Sequence, residues 1–236
     1  MKKKCLFSLL TSSHIIGFKV FCKSLLHNNP WLKETKVDFL IIPVDLSPEE
    51  MAQCEGLYPY IKWKKKDSIP RPFKEEEAKI GECAFHKLAA FSIYEYDLVI
   101  SIDCSDMVII KPIGELFSFN PDIGMVQGWT PVAKWQQYNG GLVLLNKKYR
   151  NPQIYNELRN EKPTRLHDQD ILNNKFKNKI TKLPTYFNFS KRMIDCPEAK
   201  ESEAKIIHFV GEKPWEEYNN KEKYGNIEER WHEYNK

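Results

Sequence analysis

Continuous apolar segments recur along the chain, and each is typical of a strand that is buried on both faces of a sheet. They occupy residues 5–10, 37–44, 98–102, 107–110, 123–126, 141–145, 180–183 and 205–209. Between them, apolar residues recur at helical spacing in 15–26, 79–94, 152–158 and 168–174, and a Ser-Pro-Glu-Glu start predicts a further helix after Ser47. Strands that alternate with helices predict an α/β fold with a mixed, mostly parallel central sheet flanked by helices.

Three segments depart from this pattern because they are polar. Residues 62–77 carry many lysines, prolines and glutamates, and this poverty in apolar surface predicts a loop or mobile flap. Residues 127–137 are polar and aromatic, and we expect a loop between two strands. Residues 216–236 are also polar and aromatic. We therefore expect one domain over 1–215 and a tail, 216–236, that packs on it or extends from it.

Composition narrows the class of protein. The chain has 236 residues, 42% hydrophobic and 29% charged, as is ordinary for a globular domain. A diffuse net charge of +4 predicts no nucleic-acid partner, and no window approaches the length of a transmembrane segment. The six cysteines are scattered and form no CxxC pair, which favours a reducing compartment, so we expect a cytoplasmic protein. The lysine-rich start is interpreted as the first strand, because its apolar run is too short for a signal peptide.

Two carboxylates interrupt the most apolar part of the chain. Asp103 and Asp106 lie between the segments 98–102 and 107–110. Carboxylates at the end of a buried strand are costly unless a partner balances their charge. A hard divalent cation is one such partner, because it prefers oxygen ligands. A solvated turn between two strands is the alternative, and these residues alone leave both interpretations open.

Six short motifs follow one another along nearly the whole chain. They are Lys87-Leu88, YDLVISIDCSDMVIIKPIGELF from Tyr96, YNGG from Tyr138, DQDILN from Asp168, LPTYFN from Leu183 and IIHFVGEKPW from Ile206. In this order the chain resembles the glycosyltransferases of family 8, the glycogenin-like group with a GT-A fold. The resemblance implies a single Rossmann-like domain and a retaining hexosyltransferase. Its donor would be a nucleotide sugar, UDP-glucose or UDP-galactose, and its cofactor Mn²⁺, with Mg²⁺ as the alternative.

The resemblance also implies which residues form the site. Asp103, Asp106 and His208 would hold the metal, a donor set that suits Mn²⁺. Lys213 would place charge on the leaving phosphate, and Asp168 would stabilise positive charge at the sugar carbon, with Gln169 beside it. The other residues that would bind the donor are Leu10, Thr11, Ser12, Ser13, Lys87, Cys104, Ser105, Asn139, Gly140, Gly141 and Gly211.

The acidic motif departs from the family pattern, which is usually Asp-x-Asp. Here Cys104 and Ser105 separate the two aspartates, so that on a regular strand their side chains would point to opposite faces. A bulge or tight turn at Cys104-Ser105 would restore their convergence. The aromatic residue that the family often stacks on uracil is also missing, and His14 or Ile15 stands nearby.

Local alternatives remain for two of the site motifs. Asp168 would also serve as the cap of a helix that begins at Gln169. Residues 139–141 would also form a simple turn between two strands. Trp129 and Trp135 either stack on a sugar ring of the acceptor or pack their own loop.

Three functions therefore remain in view. The first is metal-assisted transfer of a hexose from a nucleotide sugar to a glycan or other hydroxyl acceptor. The second is a nucleotide-sugar binding protein that has lost catalysis through its altered acidic motif. The third is a self-glucosylating primer protein like glycogenin, with a tyrosine as acceptor. The expected partners are the donor and a glycan or protein hydroxyl acceptor, and a homodimer is left open.

Overall fold

A seven-stranded sheet forms the centre of the protein. The computed structural model describes residues 2–67, 84–132, 134–161, 168–218 and 221–236. The strands of the central sheet are β1 (Lys4–Leu10), β2 (Asp38–Pro43), β3 (Ile61–Trp63), β4 (Leu98–Ile102), β6 (Ile123–Thr130), β7 (Lys134–Leu145) and β8 (Thr181–Lys182). Their order is β3-β2-β1-β4-β7-β6-β8. The pairs β1–β2, β1–β4, β2–β3 and β6–β8 are parallel, and β4–β7 and β6–β7 are antiparallel.

This arrangement confirms the predicted mixed, mostly parallel sheet. The first strand is an interior strand, with β2 on one side and β4 on the other. The chain therefore changes direction across the sheet at β1, and a crevice opens between the carboxyl ends of β1 and β4. In open α/β sheets, ligands bind at such a crevice.

A second, three-stranded sheet begins just beyond the carboxyl end of β4. It consists of β5 (Met107–Ile109), β9 (Phe189–Ser190) and β10 (Ile206–His208), in the order β5-β10-β9. The strand β10 pairs antiparallel with β5 and parallel with β9. The acidic segment after β4 therefore leads from the large sheet into the small one.

Helices cover both faces of the large sheet. They are α1 (Ile15–Asn28), α2 (Trp31–Glu34), α3 (Pro48–Glu55), α4 (Pro152–Arg159), α5 (Asp168–Lys175) and α6 (Gly225–His232). The predicted start after Ser47 is confirmed by a capping box, in which the Ser47 side chain accepts from the Glu50 amide and the Glu50 carboxylate accepts from the Ser47 amide. The helix expected over 79–94 is a 3₁₀ helix at His86–Ser92, and residues 79–83 lie outside the described part of the chain.

Two segments that were expected to be loops contain strands instead. Lys62 lies in β3, where pairing with the edge of β2 and an ion pair to Asp38 at 2.8 Å outweigh the polar composition. Residues 68–77 of the same predicted flap lie outside the described residues. The segment 127–137 forms much of the β6–β7 hairpin, because its polar side chains occupy the half-exposed part of a long ladder.

Apolar packing joins the helices to both sheets. Phe18 and Phe21 of α1 are buried on one face of the large sheet, and Phe91 and Phe176 are buried on the other. A third cluster surrounds the small sheet and includes Trp231 of α6, which is 1% exposed. The C-terminal helix is thus packed on the domain, although the proposed boundary at residue 215 remains a prediction. Among the described residues, no helix combines the length and apolar character that a membrane span requires.

Gly17 of α1 packs directly against the acidic segment. A Cβ atom built on Gly17 would lie 1.7 Å from the carbonyl oxygen of Ser105. We predict that Gly17→Ala lowers the free energy of unfolding by at least about 2 kcal/mol, because the turn must move to admit the methyl group. Urea denaturation measures the change. Gly225→Ala is the matched control: it also lies in the first turn of a helix, but no atom of another described segment lies within 4 Å of its added Cβ. Equal stabilities of the two variants would contradict the prediction.

Candidate active site

The two aspartates lie where the large sheet ends and the small sheet begins. The Asp103 amide donates to the carbonyl of Gly141 at 2.9 Å, which extends the β4–β7 ladder by one residue. Cys104 and Ser105 then form a turn. The Asp106 carbonyl accepts from the Phe209 amide at 2.8 Å, in register with the β5–β10 pairing. The acidic segment is therefore anchored to both sheets.

The turn brings the predicted metal ligands together. His208 Nε2 lies 3.9 Å from Asp103 Oδ2 and 3.5 Å from Asp106 Oδ2. One ligand atom from each of the three residues lies within 4.8 Å of the others. The convergence expected from a turn at Cys104-Ser105 is therefore present. Cys104 itself is fully buried in the core, with Sγ 3.7 Å from the Leu9 carbonyl, and burial raises the pKa of its thiol.

Asp106 is held ionised despite its burial. Burial opposes ionisation, but the ammonium of Lys213 holds the pKa of Asp106 well below its ordinary value. Lys213 Nζ donates to Asp106 Oδ2 at 2.6 Å and to the Phe209 carbonyl at 3.2 Å. The other oxygen, Oδ1, is buried and has no hydrogen-bond partner among the residues that the structure describes. An unpartnered carboxylate oxygen beside a second carboxylate and an imidazole fits a divalent cation such as Mn²⁺ or Mg²⁺.

A chain of amides determines which nitrogen of His208 faces the carboxylates. The Gly141 amide can only donate, and it donates to Asn139 Oδ1 at 2.8 Å. The same oxygen accepts from Asn188 Nδ2 at 2.9 Å, so Asn188 Oδ1 faces His208 Nδ1, also at 2.9 Å. His208 Nδ1 must therefore carry the proton, and Nε2 is the atom available to a metal. Asn188 belongs to the LPTYFN motif but was not among the predicted site residues.

Lys87 joins the metal cluster to Asp168. Its Nζ lies 2.8 Å from Asp103 Oδ1 and 3.3 Å from Asp168 Oδ2. Burial raises the pKa of Asp168 to about 6, although Lys87 opposes this change. Three carboxylates and two ammonium groups thus meet here, since Lys213 pairs with Asp106. This excess of negative charge favours a cation.

Gln169 and the two glycines form the adjacent wall. Gln169 Oε1 accepts from Asn139 Nδ2 at 3.0 Å and from the Gly140 amide at 3.1 Å. A Cβ atom on Gly140 would lie 2.8 Å from Asp168 Oδ2, and one on Gly141 would lie 2.4 Å from His208 Cε1. Residues 139–141 are therefore not a simple turn: they belong to β7, at an irregularity in its pairing with β6. Glycine is needed because the strand passes so close to the other site residues.

The loop after β1 borders the same crevice. Leu10 is buried, and the hydroxyls of Thr11 and Ser13 lie 2.9 Å and 3.0 Å from His14 Nδ1. The Ser12 amide donates to Asp45 Oδ1 at 2.8 Å. The His14 ring contacts Trp215 edge to face, with 6.0 Å between centroids. The predicted donor-binding loop and the loop that carries Lys213 are therefore neighbours.

Gly211 lies at the bend that leads to Lys213. It adopts φ +81°, a conformation that favours glycine. Among the predicted site residues, the structure thus gathers the side chains of Asp103, Asp106, His208, Lys213, Lys87, Asp168, Gln169 and Asn139. Sequence analysis did not identify Asn188 or Asp45 as site residues. Asn188 lies in the LPTYFN motif, which was the only sequence signal for its role, and Asp45 lies in none of the motifs.

This fold and site define a glycosyltransferase with a GT-A fold. The model of glycosyl transferase family 8 matches residues 5–219, and the chain belongs to that family. Its members use a nucleotide-sugar donor, and GT-A enzymes are typically dependent on a divalent metal. No match is found among the curated proteins.

Several solved structures share the fold. The galactosyltransferase LgtC, in complex with donor and acceptor sugar analogues, is 18% identical, with a TM-score of 0.73 over 98% of this chain and 94% of that one. GlyE of Streptococcus pneumoniae TIGR4 is 20% identical, with a TM-score of 0.72 over 99% of this chain and 61% of that one. The bifunctional glycosyltransferase WbbM is 17% identical, with a TM-score of 0.72 over 98% of this chain. The chain spans only half the length of WbbM, 50% of that chain.

The amide chain makes Asn188 a test of the metal site. We predict that Asn188→Ala weakens Mn²⁺ binding by about 10- to 100-fold, because Nδ1 of His208 loses the acceptor that holds its proton. Titration calorimetry with Mn²⁺ measures the affinity. Asn29→Ala is the matched control, since Asn29 is equally buried and hydrogen-bonded but accepts from Ile113 elsewhere in the fold. An unchanged affinity in Asn188→Ala would show that the amide chain does not orient His208.

The raised pKa of Asp168 predicts a pH-dependent stability. The folded protein binds this proton more tightly than the unfolded chain does. Protonated Asp168 therefore stabilises the fold at low pH, and this stabilisation is lost as pH rises through about 6. From pH 4.5 to 7.5 in EDTA, Asp168→Asn should gain about 2 kcal/mol of stability relative to wild type. Urea denaturation at several pH values measures the difference. Asp122→Asn is the control and should show almost no change over this range, because contact with Lys148 lowers the pKa of Asp122 and both of its states are ionised above pH 4.5. A pH-independent difference for Asp168→Asn would contradict the prediction.

Proposed function

We propose that the protein transfers a hexose from a UDP-sugar, UDP-glucose or UDP-galactose, to a hydroxyl of a glycan or other acceptor, with retention of anomeric configuration. Asp103, Asp106 and His208 would hold Mn²⁺ or Mg²⁺. The observation that carries the proposal is the convergence of these three side chains beside two lysines and a buried, unpartnered carboxylate oxygen. An acidic cluster with flanking ammonium groups suits a metal and a diphosphate together.

The first requirement of the reaction is to stabilise the leaving nucleoside diphosphate. When bound, the divalent ion would supply Lewis-acid stabilisation of its charge. Lys213 approaches the same carboxylate that would bind the ion, with 2.6 Å between Nζ and Asp106 Oδ2. Its ammonium therefore stands beside the expected position of the diphosphate. A positioned positive charge there acts on the charge that develops as the sugar–phosphate bond breaks.

The second requirement is to bind the sugar and support its reacting carbon. Gln169 uses its oxygen on Asn139 and Gly140, which leaves its amide nitrogen without a partner among the described residues. An amide donor suits a sugar hydroxyl. Asp168 is largely ionised at neutral pH, since its pKa is about 6, and its carboxylate would stabilise positive charge at the sugar carbon. Lys87 keeps that carboxylate oriented.

The loop after β1 would receive the nucleoside. Thr11 and Ser13 offer hydroxyl groups for the ribose or the base, and His14 offers a ring beside Trp215. These residues follow the carboxyl end of β1, next to the metal cluster after β4. A nucleoside diphosphate would bridge the two groups, since both follow the carboxyl ends of neighbouring strands.

The turn at Cys104-Ser105 bears on the alternative functions. A nucleotide-sugar binding protein without catalysis was suggested only by the altered spacing of the acidic motif. Because the turn brings both carboxylates to His208, that spacing no longer favours lost catalysis. Self-glucosylation is favoured by no particular tyrosine in the described residues.

A donor screen tests the proposed function. Thermal shift with UDP-glucose, UDP-galactose and other nucleotide sugars, with and without Mn²⁺, should identify a donor that raises Tm only when the metal is present. Mn²⁺-dependent release of UDP and the anomeric configuration of the product then test transfer and retention. Equal Tm values with every donor and no release of UDP would reject the proposal.

Asp106 is the most sensitive residue for this test. We predict that Asp106→Asn lowers kcat by at least about a hundredfold, because the leaving diphosphate loses charge stabilisation. Steady-state kinetics with saturating donor and Mn²⁺ measure the change. Asp97→Asn is the control, since Asp97 is paired with Lys147 at 2.9 Å on the opposite edge of the sheet and should leave kcat unchanged. Wild-type kcat in Asp106→Asn would contradict the role of the acidic cluster.

A further inference from the structure

A fully buried lysine lies directly behind the loop that carries Lys213. Lys191 follows β9 at the start of a 3₁₀ helix, Lys191–Asp195, and its exposure is 0%. Lysine is almost never buried to this degree unless its charge is paired. Its partners therefore indicate what the charge does.

Three acceptors surround the Lys191 ammonium. Its Nζ donates to the Glu212 carbonyl at 2.7 Å, to Glu228 Oε1 at 3.1 Å and to the Tyr218 hydroxyl oxygen at 3.2 Å. The Tyr218 hydroxyl in turn donates to Glu228. The rings of Tyr218 and Tyr224 also face the ammonium, at 4.5 Å and 4.8 Å from their centroids. All three N–H groups are thus satisfied, and one of them holds a backbone carbonyl.

That carbonyl belongs to the peptide unit that leads into Lys213. The Lys213 amide at the other end of the same planar unit donates to Glu216 Oε2 at 2.8 Å. The peptide between Glu212 and Lys213 is therefore held on both sides. This peptide comes one residue after Gly211, which has a left-handed backbone conformation. A glycine can change its backbone angles more readily than other residues. Fixing this peptide fixes the direction in which the Lys213 side chain leaves the backbone.

The carboxylate partner of Lys191 lies on the C-terminal helix. Glu228 is 2% exposed on α6, and Trp231 on the same helix packs against Trp215, with 5.4 Å between ring centroids. A buried ion pair is a poor source of stability, because well-packed apolar residues often stabilise a core at least as well. A pair that also holds a loop carbonyl has a geometric role that apolar residues cannot provide.

We propose that Lys191, held in place by Glu228, is a positioning residue that directs Lys213 toward the leaving diphosphate. The C-terminal helix then belongs to the functional unit of the enzyme. This inference rests on the proposed function, in which Lys213 acts on the donor. Lys191 does not touch the donor: it acts through the Glu212 carbonyl.

Removing both charges together tests the proposal without leaving one buried charge unpaired. The double variant Lys191→Met with Glu228→Gln keeps the side-chain volumes similar. It removes the ammonium group that donates a hydrogen bond to the Glu212 carbonyl. We expect kcat to fall at least about tenfold and the KM for the sugar donor to change less than about threefold. The reason is that the orientation of the Lys213 ammonium matters most in the transition state. The control, Lys223→Met with Asp195→Asn, removes an exposed pair at 2.7 Å that joins the 3₁₀ helix of Lys191 to the turn before α6, and kcat should be unchanged.

A double-mutant cycle distinguishes positioning from general damage. In a Lys213→Ala background, the Lys191/Glu228 double variant should lower kcat by less than about twofold more, because Lys213 is no longer there to be positioned. A tenfold loss in both backgrounds would overturn the proposal. Should the double variant not fold, Glu216→Ala loosens the same peptide from the exposed side and should lower kcat, again only when Lys213 is present. Wild-type kcat in every variant that folds would also overturn the proposal.

Amide hydrogen exchange separates this inference from the proposed function, because it requires no turnover. Peptides that cover 209–214 should exchange faster in the Lys191/Glu228 double variant than in wild type, and peptides of β4 should be unchanged. Unchanged exchange over 209–214 would overturn the positioning role, whatever the activity. Absence of UDP-sugar turnover by the wild-type enzyme would reject the proposed function and leave the exchange result valid.

Discussion

The antiparallel pairing of β5 with β10 is the contact on which the rest of the site depends. It places His208 beside the acidic segment and locks the Asp106 carbonyl onto the Phe209 amide. Two carboxylates and an imidazole then share a small volume, and a buried cluster of this kind is costly unless positive charge balances it. Lys87 approaches it from the His86–Ser92 helix and Lys213 from the loop after β10. These two ammonium groups supply positive charge at the place where the pairing brings the three side chains together.

Much of the fold could be predicted because strands that are buried on both faces of a sheet are continuously apolar. The segments 98–102 and 141–145 are of this kind and lie at the centre of the sheet. The strand β3 could not be predicted, since Lys62 interrupts it and only pairing with β2 makes it a strand. The part of the β6–β7 hairpin within 127–137 was also missed, because half-exposed ladder positions accept the polar residues that are typical of loops.

The site was predictable where chemistry follows a motif and not where it depends on distant partners. The order of six motifs pointed to Asp103, Asp106 and His208, while only the turn between the aspartates makes their side chains converge. Asn188 acts on a histidine 20 residues away, and Lys191 binds a carboxylate 37 residues away. A single amide or ammonium group has no periodicity, so its role becomes visible only when the fold supplies its partners.

The distance along the chain between the ligand groups also has a consequence for folding. Asp103 and His208 are more than a hundred residues apart, so their meeting closes a very long loop and carries the entropic cost of a non-local contact. Residues 98–145 can bring β4, β6 and β7 together through nearer contacts without completing the three-ligand cluster. A partly folded chain would then contain much of the central sheet and lack the cluster altogether. Uptake of a divalent ion at this place would accordingly report the fraction of molecules that have completed their slowest contacts.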